Sequence, residues 1–135
     1  MTPPHRIYIA APYSAGNAHD TAANVRAAVE VAERCWAKGH EAFCPHSHSH
    51  AISCRAMFNG RPIEYERWMR YSFTMIDRWA TALLVVTSSP GADRELRRAT
   101  LSELVIFHGV DEVPDVSERS QQRAEVGACG LERKA

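Results

Sequence analysis

The chain reads as an α/β protein: a small Rossmann-like or flavodoxin-like parallel sheet flanked by helices. Three observations predict this. Short apolar runs of strand length alternate with longer segments of helical period. Turn formers separate them, so strand and helix follow one another along one domain. The run Thr81-Ala-Leu-Leu-Val-Val-Thr87 ends in the small-residue turn Ser88-Ser-Pro-Gly91 and passes at once into a helix-like segment. Open α/β sheets bind ligands outside the carboxyl ends of their strands, which is where such a turn sits.

The elements follow in order. Ile7 to Ala11 is an apolar strand closed by Pro12, and Tyr13 to Asn17 is a loop containing Gly16. From Asp20 to Lys38 the spacing of Ala22, Val25, Val29, Ala32 and Trp36 predicts a helix with one apolar stripe, stopped by Gly39. Glu41 to Cys44 is a second strand ended by Pro45, which completes a βαβ unit with parallel strands. Residues 45–62 show no clear period and read as a long loop, a feature that is often functional in compact domains. A second helix is expected over Ile63 to Arg78, with Tyr65, Trp68, Met69, Phe73 and Ile76 on its apolar side. The Thr81–Thr87 strand, a third helix over Ala92 to Glu103 and a fourth strand over Leu104 to Phe107 complete the fold.

The 135 residues fit a single domain over residues 1–115. The polar stretch 116–135 is expected to be partly disordered or to lie at a subunit contact. Formal net charge is zero, which argues against a nucleic-acid polymer as partner. Arg94, Arg97 and Arg98 are interleaved with Asp93, Glu95 and Glu103, which is the pattern of a solvated helix face. The opening Met-Thr-Pro-Pro-His-Arg lacks the apolar core of a signal peptide, and no apolar run reaches the length of a membrane span. The expectation is a cytoplasmic protein in which Cys35, Cys44, Cys54 and Cys129 are reduced thiols.

Glu95 stands in the first turn of the third helix, where a carboxylate can point into the crevice or simply face solvent beside the helix dipole. Tyr13 lies at the carboxyl end of the first strand, where ligand contact and plain packing are equally open. Cys44, His46, His48, His50 and Cys54 are ligand types for zinc, yet three alternate histidines on an extended segment spread over roughly 13 Å, too far for one centre. That holds unless the loop folds back, so no metal is assigned, a histidine-loop metalloprotein stays open as a further reading, and no cofactor is expected. Tyr65, Trp68, Phe73 and Trp79 follow helical spacing and are expected in the core rather than as stacking platforms.

Four blocks, in order, resemble the nucleoside 2-deoxyribosyltransferase-like superfamily. They are Ile7-Tyr-Ile-Ala-Ala-Pro-Tyr-Ser14, then Lys38-Gly-His-Glu-Ala-Phe-Cys-Pro-His46, then His48-Ser-His50 with Tyr65-Glu-Arg-Trp68, and last Ser89-Pro-Gly-Ala-Asp-Arg-Glu95 with Ala99. The last is similar to that superfamily's Ser-x-Gly-x-x-x-Glu-x-x-x-Ala signature. The resemblance implies cleavage or transfer at the N-glycosidic bond of a nucleoside or nucleoside 5′-monophosphate, with Glu95 as nucleophile. It implies that Ser89, Gly91 and Ser14 hold phosphate or the sugar 5′ end, and that Tyr13 and His46 lie near sugar or base. It further implies a homodimer or higher homo-oligomer. The sequence departs from the superfamily at Ser72 and Ala80, where relatives carry aspartates, and at Ala11, where they carry glycine. Those departures motivate an alternative: a non-catalytic nucleotide-binding or sensing protein on the same scaffold.

Overall fold

A computed structural model describes residues 3–14 and 16–116. The tail from Ser117 onward, including Cys129, lies outside the described residues. Val116, expected at the head of that tail, instead belongs to the folded body: it is buried and its N–H donates to the Lys38 carbonyl.

Four strands form one parallel sheet: β1 (Arg6–Ala10), β2 (Glu41–Phe43), β3 (Ala82–Val85) and β4 (Val105–Phe107). Their spatial order is β2-β1-β3-β4, so the α/β fold expected from the sequence is the fold observed. Tyr8 of β1 aligns with Phe43 of β2 on one side and Leu83 of β3 on the other. Strand succession reverses direction across β1 and β3. This makes their carboxyl ends a switch point, the position where doubly wound sheets open a crevice.

Because strand side chains alternate, β1 feeds two cores. Ile7 and Ile9 pack with Ala28, Ala32 and Cys35 of α1 (Ala18–Ala37), together with Leu84 and Phe107. Tyr8 and Ala10 face the other side, against Ile76 of a helix over Tyr65–Arg78 and Ala92 and Ala99 of a helix over Pro90–Leu101. The stripe expected on α1 is corrected by this packing. Ala28, Ala32 and Cys35 are buried, whereas Val29 and Trp36 are exposed, because small residues let the helix lie close to the sheet. Gly39 ends α1 with φ of 95°, the left-handed conformation that a glycine stop supplies.

The expected loop over 45–62 is a correction of greater consequence. Residues Pro45–Phe58 form α2, with Pro45 in the first turn; the helices over Tyr65–Arg78 and Pro90–Leu101 are therefore α3 and α4. Only Pro45 and Ser49 of α2 are buried, so it shows no apolar stripe for periodicity to detect. Proline suits the first helical turn, where its missing N–H costs nothing.

The start of α4 is fixed by Ser89, an extended N-cap whose hydroxyl accepts from the Ala92 N–H. Ser89→Ala is expected to lower unfolding free energy by about 1 kcal/mol. Urea denaturation would read that loss as a lower midpoint at unchanged slope.

Candidate active site

A cavity of about 550 Å3 opens at the carboxyl ends of β1 and β3. Its wall includes Tyr13 and Ser14 after β1, His46 of α2, Ser89 and Gly91 at the start of α4, and Glu95 one turn further on. All six residues singled out in the sequence thus border one space, although they span more than eighty positions of chain.

Glu95 is not the solvated helix-face carboxylate that its charged neighbours suggest. It is 4 % exposed. Ala92, Glu95 and Ala99 share the buried face of α4, and the two alanines let that face approach the sheet closely enough for Glu95 to meet β1. There the hydroxyl of fully buried Tyr8 donates to Glu95 Oε2, and the Ser72 hydroxyl of α3 also hydrogen-bonds the carboxylate. Burial pushes the Glu95 pKa up to about 7, against the pull of these two hydrogen bonds. Burial and the neighbouring carboxylate likewise hold the Tyr8 phenol well above its ordinary range. A carboxyl group poised near neutrality in a cavity can act as a nucleophile when ionised or as an acid when protonated.

Tyr8 and Ser72 are thus functional candidates that sequence reasoning did not assign. The signal for Tyr8 was a phenol within an otherwise aliphatic strand, whose hydroxyl needs a partner once buried. Ser72 stands on the sheet-facing side of α3 with Met69 and Ile76, so its polar group also had to be satisfied internally.

α2 supplies the opposite wall. Being helical, it sets His46 and His50 on one face and turns His48 away to stack on Tyr71 at 6.1 Å. His46 Nε2–H donates to the Ala11 carbonyl at 2.7 Å, and burial holds its ring below the ordinary histidine range. Tyr13 stacks near His46 with ring centroids 5.0 Å apart, and its hydroxyl is hydrogen-bonded to His50 Nδ1 at 2.8 Å. Burial raises the Tyr13 pKa. Among the described residues, no group of three His, Cys, Asp or Glu side chains converges as metal ligands do.

Two arginines of α4 pair with carboxylates of α3, and Arg94 also lies over the ring of Tyr65 at 5.6 Å. Arg94 pairs with Glu66 of α3 at 2.9 Å, and Arg98 pairs with Asp77 at 2.5 Å. Asp77 does not border the cavity, and Ala80 packs in the core. Asp93 accepts from the Ser88 hydroxyl at 2.9 Å. Phe73 and Trp79 pack against the core as expected, but Tyr65 and Trp68 line the cavity. Cys35, Cys44 and Cys54 are free thiols. No helix among the described residues is long and apolar enough to cross a membrane.

No curated protein matches the sequence. Residues 5–104, which include every strand but β4 and every residue placed in the cavity wall, match the family described as Domain of unknown function (DUF1937). The match spans most of the chain, and the protein belongs to that family.

Proposed function

We propose that this protein cleaves or exchanges the N-glycosidic bond of a nucleoside or nucleoside 5′-monophosphate, with Glu95 as nucleophile. One observation carries the reading: a single buried carboxylate, held by Tyr8 and Ser72, borders a cavity of about 550 Å3 at the switch point of the sheet. Breaking this bond builds oxocarbenium-like positive charge on the sugar, which a desolvated carboxylate stabilises or captures covalently. Water then gives hydrolysis, and a second base gives transfer. Ser14, Ser89 and the Gly91 amide are assigned to the sugar 5′ end or its phosphate, since a helix N-terminus favours an anion or a hydroxyl oxygen. Tyr13 and His46 are assigned to the sugar or base. The proposal extends to a small-molecule substrate, a cytoplasmic location and a homo-oligomer.

A non-catalytic nucleotide-binding protein is the second reading, favoured by Glu95 being the sole carboxylate among the described cavity residues. Most glycoside hydrolysis uses two. Chromatography of free base after incubation with nucleosides and 5′-monophosphates, with and without an acceptor base, separates the two. Release by wild type and not by Glu95→Ala is the expected result. Nucleotide-dependent thermal stabilisation with no release from either protein would transfer the assignment to the binding reading.

A further inference from the structure

A neutral base departs from a sugar readily only when a proton is delivered to it, so the usual site needs both a nucleophile and an acid. This cavity offers one carboxylate, and Glu95 cannot serve both roles in one step. Three of the other polar groups near it are already engaged. His46 commits Nε2–H to the Ala11 carbonyl, and burial holds its pKa below the ordinary histidine range. The Tyr13 hydroxyl is engaged with His50, and its pKa is raised. Ser72 hydrogen-bonds Glu95 itself.

What the wall does offer is attraction for a cation. Tyr13, Tyr65, Trp68 and Tyr71 present aromatic surfaces, and no lysine or arginine is among the described residues lining the cavity. Arg94 already lies over the Tyr65 ring, 5.6 Å from its centroid, with its charge paired to Glu66, and aromatic rings together with one carboxylate form the kind of environment that binds quaternary nitrogen.

Resting on the glycosidase reading, we propose that the substrate's base is itself positively charged: an N-glycoside of an N-substituted heteroaromatic cation, of the pyridinium riboside type. Such a base needs no acid. A Glu95 carboxylate oxygen bonds to the anomeric carbon as the carbon–nitrogen bond breaks. Its electron pair returns to the ring nitrogen, and the base leaves as a neutral heteroarene. Water then displaces Glu95 from the glycosyl ester, its oxygen bonding to the anomeric carbon and its surplus proton passing to solvent. One water is consumed and one proton released per turnover. The bound cation also favours the ionised form of Glu95, so the ligand itself activates the nucleophile.

The test compares 3-carbamoylpyridinium riboside with uridine and adenosine, following free base by chromatography and proton release at constant pH. The expected result is a kcat/KM for the cationic riboside higher by roughly 100-fold, the scale of an acid catalyst that the neutral substrates lack. One proton should appear per base released. Equal or faster release from the neutral nucleosides overturns the inference while leaving the glycosidase reading intact. Release from none of them removes the glycosidase reading, and a binding arm then decides the question of charge. Thermal stabilisation by the 1-methyl-3-carbamoylpyridinium cation, absent with neutral 3-carbamoylpyridine and lost in Glu95→Gln, supports a cation site. The same response to both compounds, or to neither, overturns it.

Discussion

On the proposed glycosidase reading, Glu95→Gln abolishes turnover and at the same time makes the protein more stable at alkaline pH. A glutamate titrates near 4.5 in an unfolded chain, whereas burial holds Glu95 at about 7 in the native state. Between these values the native state binds more protons than the unfolded one, so stability falls as pH rises through the window. The cost is fully present above pH 7 and absent below 4.5, and it amounts to about 3 kcal/mol. Glutamine matches the shape and is neutral throughout, so its variant lacks this slope. Melting temperatures measured from pH 5 to pH 8.5 should fall less steeply for the variant than for wild type, with the variant melting several degrees higher at the alkaline end. Parallel profiles would mean that the carboxylate ionises in the folded protein at no cost. The desolvated nucleophile would then be lost with it. A residue whose removal stabilises the fold is one retained for function rather than for folding.

The second large effect is expected for Tyr8→Phe, which deletes one oxygen and preserves the ring that packs against Phe43. The Tyr8 hydrogen bond pulls the Glu95 pKa down, so its loss drives that pKa above about 7. Fewer molecules then carry an ionised nucleophile at neutral pH, and the carboxylate is held less firmly. We expect kcat/KM at pH 7 to fall by about 10- to 100-fold, corresponding to the roughly 1.5–3 kcal/mol of a hydrogen bond to a charged group. The diagnostic is the pH profile: the ascending limb moves to higher pH, and part of the loss is recovered near pH 9. A uniform loss at every pH would make Tyr8 a packing residue and no more.

The parts of this molecule that were legible in its sequence are those whose side chains repeat with a period. β1, β3, α1, α3 and α4 announce themselves through apolar spacing and punctuation, and Ser89 and Gly39 mark ends that the backbone respects. α2 is silent because one side of it lines the cavity and only Pro45 and Ser49 are buried. A helix with one side in solvent and one side against a cavity shows no hydrophobic stripe. Reading it as a loop also hid the alignment of His46 with His50. Glu95 illustrates a different limit. Its spacing with Ala92 and Ala99 fixes which face of α4 it shares, but not that this face meets the strand carrying Tyr8. That meeting depends on β3, rather than β2, being the neighbour of β1 on that side, a fact of topology that local patterns do not encode.

The central position of β1 also dictates an order of events during synthesis. Its pairing with β2 joins residues about thirty-five apart, as in Ile7 with Ala42, and can form early. Its other edge must wait for β3, where Ile7 meets Ala82. Until that stretch leaves the ribosome, one side of this inner strand carries unpaired amides and carbonyls, and Tyr8 lacks its acceptor. Nascent chains halted before Ala82 therefore present an open strand edge of the kind that recruits other chains. The carboxylate that defines the cavity is among the last elements to arrive, so a chain able to bind ligand is a chain whose sheet has already closed around β1.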